Sequence, residues 1–147
     1  DYSSQLTQVR VIDEVTIPLL SRGLSGDKAK RRAKELLAKV QLEGYENKKT
    51  WELSGGEQQR VAIAAILAID PDVLIFDNAI DMLDPKGQMM VTNLISSLAE
   101  DTTLVVTATD PQQLIGVADD LVVLDSGEVV RKGSADSVLR EHDLFTE

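Results

Sequence analysis

A short, unbroken apolar run, Val73-Leu74-Ile75-Phe76, closed by Asp77, restricts this chain more than any other stretch. A run without a polar position offers neither strand face to water, so it suits a buried strand of a parallel sheet. Leu104-Val105-Val106 is a second run of the same kind. Between them Val91, Leu94, Ile95 and Leu98 recur at helical spacing, which predicts a helix over roughly Pro85 to Ala99. Helices alternating with apolar strands predict an α/β fold.

Upstream, residues 1–22 show no clean period. Val9, Val11, Val15 and Ile17 predict an irregular, partly buried segment ending near Pro18. Ala29, Ala33, Leu36, Leu37 and Val40 predict an amphipathic helix over 27–40, with Ser25 as N-cap and Asp27 in its first turn. A loop over 41–53 leads to the pair Gly55-Gly56, and a helix rich in Ala, Ile and Leu follows over 57–69, before Pro71. Downstream, residues 111–118 read as a short helix opened by a proline. Leu121–Leu124 and Val129–Arg131 flank Asp125-Ser126-Gly127-Glu128, a hairpin pattern. A last short helix is expected over 134–140.

At 147 residues, with 43% hydrophobic and 27% charged residues, the chain suits one folded domain, not a disordered one. No apolar run approaches the roughly 20 residues that span a bilayer. No signal-peptide pattern stands at the N-terminus, and there is no cysteine for a disulfide or thiolate metal site, which fits a cytosolic chain. The net charge of −10 disfavours a nucleic-acid partner. One basic run, Lys28-Ala29-Lys30-Arg31-Arg32, reads as the solvated face of its helix.

The most informative string is Leu53-Ser54-Gly55-Gly56-Glu57-Gln58-Gln59-Arg60. Two glycines at a helix start allow close approach to the backbone, and exposed amides with the positive end of the helix dipole favour an anion. Ser54 adds a hydroxyl. A Ser-Gly-Gly before a helix is also often only a flexible turn. The full string resembles the signature motif of ATP-binding-cassette (ABC) ATPases. Asp77, closing its strand, resembles a Walker B carboxylate, which can hold Mg²⁺ through water. Met82-Leu83-Asp84-Pro85 resembles the D-loop, and Thr107-Ala108-Thr109-Asp110 stands where the H-loop belongs. The hairpin from Leu121 to Arg131, with Gly133, is similar to the family's closing segment. Gln5-Leu6-Thr7 and Asp13-Glu14-Val15 resemble the stretch after the Q-loop in importer-type subunits, particularly those of the energy-coupling-factor kind.

The resemblance covers essentially the whole chain. It implies a P-loop NTPase (RecA-like) ABC ATPase domain with a helical subdomain around residues 20–55 that reaches a membrane partner. Residues 70–147 would carry Walker B, D-loop, H-loop and the closing hairpin. It also implies ATP and Mg²⁺ as ligands. Ser54, Gly55, Gly56, Glu57, Gln58 and Asp84 would lie at nucleotide and Asp77 at the metal. A second ABC ATPase domain and a transmembrane transporter subunit are the implied partners, with the chain at the cytoplasmic face of the membrane.

Three departures qualify the match. No Gly-x-x-x-x-Gly-Lys-Ser/Thr loop occurs, so the chain reads as part of a longer domain, lacking two central strands and exposing apolar sheet edges and faces. Such a piece is expected to self-associate unless another chain covers those faces. Asn78 stands where the family has the Glu that activates water, and an amide cannot act as a base. Thr109 stands at the family's His, while the single His, His142, lies near the C-terminus. An intact signature beside a degenerate Asn78/Thr109 pair implies an asymmetric dimer. The signature would serve a competent site on the partner, and the chain's own site would bind nucleotide but hydrolyse it poorly. The alternatives are a soluble, non-transport ABC ATPase and a non-catalytic regulatory ABC module.

Overall fold

The computed structural model describes residues 6–80, 85–100 and 102–140. The chain divides into two compact units, Asp1–Leu74 and Ile75–Glu147.

The first unit is built on three mutually packed helices, α1 (Val11–Ser21), α2 (Gly26–Lys39) and α3 (Gly55–Leu67). Helix α1 corrects the expectation of an irregular segment. Val11, Ile12, Val15 and Leu19 are buried and share one helical face. Val9 and Ile17, which blurred the period, are 56% and 42% exposed. Pro18 lies inside α1 and does not stop it. The helix ends one turn later in a Schellman motif, where Gly23, at φ +88°, lets its own amide reach Leu20 and that of Leu24 reach Leu19. Helix α2 buries Ala29, Ala33, Leu36 and Leu37, the face its spacing predicts. Ser25 occupies the N-cap position, but its hydroxyl makes no cap bond.

The loop after α2 is tied to the chain before α1. The amides of Val11 and Ile12 donate to the carbonyls of Lys48 and Glu46 at 3.0 and 3.1 Å, and Thr50 N–H donates to Val9 at 3.0 Å. Buried Glu14 gathers the same corner by accepting the amides of Thr7 and Gln8 at 2.9 and 2.7 Å. Leu53, buried, thereby enters α3 from a fixed direction.

The strands lie over residues 73–134. β1 (Val73–Asp77) pairs with β2 (Thr103–Thr107), and between them α4 (Pro85–Leu98) buries Val91, Leu94, Ile95 and Leu98. β3 (Asp120–Asp125) and β4 (Glu128–Ser134) form the expected antiparallel hairpin, with a bulge between Val123 and Leu124. Its turn holds Ser126 and Gly127 at φ +48° and +83°, the signs of a type I′ turn. Helix α5 (Ala135–Leu139) follows, capped by Ser134, and Leu114, Leu121, Ala135 and Val138 close a small core. The helix expected over 111–118 is only a 3₁₀ turn at Pro111–Leu114. Continuous apolarity does not mean burial on both faces here. β1 alternates, with Leu74 and Phe76 buried and Val73 and Ile75 exposed, and Val105 of β2 is exposed too. Among the described residues only one face of these strands is covered. No helix among them is long and apolar enough to cross a membrane.

The corrected face of α1 sets a test by urea unfolding. Leu19→Ala is expected to cost about 2–5 kcal/mol, whereas Val9→Ala is expected to stay within about 0.5 kcal/mol of the parent chain.

Candidate functional site

Ser54 is the N-cap of α3, in extended backbone at φ −65° and ψ 160°. It forms a reciprocal capping box with Glu57. Ser54 N–H donates to Glu57 Oε2 at 2.7 Å, and the Ser54 hydroxyl donates to the same oxygen at 2.9 Å while accepting Glu57 N–H at 3.4 Å. These bonds, led by the Ser54 backbone amide, hold the Glu57 carboxyl below the ordinary glutamate range, and Tyr45 and Lys48 lower it further. Lys48 also sits over the Tyr45 ring, 3.5 Å from its centroid. Gln58 turns back toward the carbonyls of Thr50 and Leu53, at 3.3 and 3.4 Å.

Gly55 and Gly56 begin α3 with ordinary helical backbone, and a Cβ placed on either would meet nothing within 4 Å. Glycine is a poorer helix former than alanine, because it loses more backbone freedom on folding. Neither a positive φ nor a crowded neighbour within the chain requires them. Their amides, the first two of the helix, have no acceptor among the described residues, as the geometry of a helix start dictates. The result is an exposed pair of donors at the positive end of a helix, with room for an anion against the backbone.

In the second unit, Asp77 ends β1 and Asn78 follows in left-handed backbone at φ +48°. Thr107, the last residue of β2, joins them. Its hydroxyl donates to Asp77 Oδ1 at 2.8 Å and accepts the Asn78 amide at 2.9 Å. Thr107 was not singled out from the sequence. The available signal was a hydroxyl following the apolar run Leu104-Val105-Val106, but its use depends on β2 lying beside β1. Thr109 lies exposed in the bend beyond β2. Asp84, with the rest of Met82-Leu83-Asp84, falls outside the described residues, as do Gln5 and His142.

The donor set around Asp77 fits Mg²⁺ bound with nucleotide better than a protein-only metal cage. No cluster of three or more His, Cys, Asp or Glu side chains capable of holding a metal occurs among the described residues. Asp77 is exposed, and Oδ2 is left without a hydrogen bond among them. Mg²⁺ commonly takes one or two carboxylates and completes its shell with phosphate oxygens and water.

Residues 2–81 match the family model described as ABC transporter. The chain belongs to the ABC transporter family. The energy-coupling factor transporter ATP-binding protein EcfA of Pediococcus pentosaceus is 32% identical over 143 residues, covering 97% of this chain and 51% of that protein. The structure of CbiO1 from Clostridium perfringens, part of the ABC transporter complex CbiONQ, superposes with a TM-score of 0.87 at 27% identity, covering 98% of this chain and 58% of that one. A dimeric ATP-binding cassette in a post-hydrolysis state, bound to ADP and Pi, superposes with a TM-score of 0.74 at 32% identity, covering 86% of this chain and 57% of that one. This ABC chain spans about half the length of the curated relatives it matches. Its mixed helix-and-strand architecture is that of the ABC ATPase cassette, a P-loop NTPase fold, and so the α/β class expected from the sequence holds.

The capping box gives this ABC chain a pH signature. The Glu57 pKa is lower folded than unfolded, so its stabilisation is full above the unfolded value of about 4.3 and disappears as pH falls through the folded value. Glu57→Gln is therefore expected to unfold earlier than the parent at pH 7, with the gap in denaturation midpoint closing in strong acid.

Proposed function

We propose that this chain is part of the ATP-binding subunit of an ABC transporter, in which ATP binding and hydrolysis between two such domains drive movement of a transmembrane partner. The observation that carries this reading is the open start of α3. Two glycines that the fold does not require, with open space on their Cβ side, leave two backbone donors without a partner among the described residues. A terminal phosphate, presented by a nucleotide held mainly on a second ATPase domain, satisfies those donors. Ser54 contributes its hydroxyl once the proton now given to Glu57 rotates toward phosphate. The box keeps the Glu57 carboxylate turned to Ser54 N–H, so its negative charge is partly spent before an anion arrives. Gln58 and Asp84 complete the nucleotide side in this reading.

Asp77 serves this chain's own site, and Mg²⁺ bound there with nucleotide offsets phosphate charge. Asn78 can orient water through its amide but cannot take its proton, and Thr109 can hydrogen-bond but cannot supply an imidazole. The pair of sites is therefore unequal. The signature of this chain completes a competent site, and Asp77, Asn78 and Thr109 form one that binds nucleotide and turns it over slowly. The similarity to an energy-coupling-factor subunit and to CbiO1, part of the ABC transporter complex CbiONQ, supports a membrane partner over a soluble or purely regulatory role. The region around Leu20 to Tyr45, with the exposed polar face of α2, is the side proposed to meet that partner.

Two variants of the full-length protein, assayed with its partners for phosphate release, test the assignment. Ser54→Arg fills the open helix start and is expected to lower turnover by about 10²-fold or more, on the scale of losing a transition-state donor. Asn78→Glu with Thr109→His is expected to raise turnover at the chain's own site, since a general base contributes about 10²–10⁴-fold. Unchanged hydrolysis in Ser54→Arg rules the signature role out.

A further inference from the structure

We infer that Thr107 is a positioning residue for the metal side of the nucleotide site, acting through Asp77 and Asn78. This rests on the reading of Asp77 as the metal-side carboxylate. A carboxylate on the last residue of a strand has no covalent reason to keep one rotamer, and Asp77 is exposed. The Thr107 hydroxyl supplies that reason. Its single proton goes to Oδ1 at 2.8 Å, which turns the carboxylate about its own axis and leaves Oδ2 as the oxygen without a protein donor among the described residues. Its lone pair takes the Asn78 amide at 2.9 Å. One hydroxyl thus spends both donor and acceptor capacity on two consecutive residues of the neighbouring strand end.

The second bond matters because of Asn78. Left-handed backbone is uncommon for residues other than glycine and persists only where the surroundings hold it. The Asn78 backbone N–H lies in the peptide plane that leaves Asp77, so its bond to Thr107 fixes that plane at the point where the chain turns out of the strand. Threonine suits the task better than serine alone would suggest. Its β-branched side chain has a stiff χ1 in a strand, so the hydroxyl is presented in one direction. An aliphatic residue at the same place would continue the apolar pattern of Leu104, Val105 and Val106 but could make neither bond. Groups that orient a metal-binding carboxylate commonly carry about 10–100-fold of metal affinity.

The test is Mn²⁺ binding, followed by electron paramagnetic resonance, to the full-length protein saturated with a non-hydrolysable ATP analogue. Thr107→Val keeps the shape and removes the hydroxyl, and it is expected to weaken Mn²⁺ about tenfold. Thr107→Ser keeps the hydroxyl and is expected to recover most of that loss, and binding of the analogue without metal is expected to be unchanged in both. Thr107→Ala, which removes the hydroxyl and leaves more space, replaces the valine variant should that one not fold. Parent-like Mn²⁺ affinity in the hydroxyl-less variant overturns the inference, as does a serine variant as weak as valine or an equal loss of metal-free binding. Asp77→Asn separates the two levels. Unchanged Mn²⁺ binding there removes the Asp77 reading itself, whereas a large loss there with a neutral Thr107→Val removes only the role of Thr107.

Discussion

The reciprocal bonds between Ser54 and Glu57 decide where α3 begins, and the rest of the first unit depends on that start. Without that cap the first turn of α3 frays, and with it the entry to the stretch Val61–Ala64 that is buried where α3 packs on α1. The cap satisfies one helical amide with a side chain and returns a carboxylate to the amide of the capping residue itself. Both bonds lie on the Ser54 side of the helix end. The Gly55 and Gly56 amides are left over, so one device fixes the helix and leaves its positive end open. Stability and ligand approach are thus not in competition here. The competition lies in the two glycines, which weaken the first turn without serving any contact inside the chain.

The strands answer to a different constraint. β1 and β2 hold hydrophobic side chains on both faces, yet among the described residues only Leu74 and Phe76 of β1 are buried. Val73, Ile75 and Val105 lie open, and so do Val122, Leu124, Val129 and Val130 of the hairpin. Exposed apolar strands of this extent are held in place by hydrogen bonds and one-sided packing, which is why the polar bridge from Thr107 to Asp77 and Asn78 has weight. It ties the ends of two strands whose other face contributes little burial.

How much of this was legible in the sequence follows from the range of the interaction involved. Helix α2 and the hairpin were readable because their signals are local. Ala29, Ala33, Leu36 and Leu37 repeat at helical spacing, and Ser126-Gly127 supplies the positive φ angles a tight hairpin turn needs. Helix α1 was missed because Val9 and Ile17, apolar but exposed, suggested a mixed period, and because Pro18 reads as a stop when it can also stand in a last turn. The 3₁₀ turn at Pro111–Leu114 carried the opening signal of a helix without the length to continue. Of the candidate site, Ser54, Gly55, Gly56 and Glu57 were readable as a helix-start string. Thr107 was not, since its meaning comes from a neighbour thirty positions away in the chain, brought alongside only by strand pairing.

Asn78 joins the local and the distant arguments. In the family pattern its position belongs to a carboxylate that acts on water. Here the backbone at that position is left-handed. Asparagine is among the residues that enter this region most readily, because its short polar side chain can bond locally. Glutamate has no such ease. Asparagine therefore fits this turn, and the Thr107 hydroxyl accepts its backbone N–H. The substitution is coherent with its surroundings at the level of the backbone, and not merely a lost functional group on an otherwise unchanged strand end. A carboxylate placed at 78 has to be accommodated by that left-handed conformation.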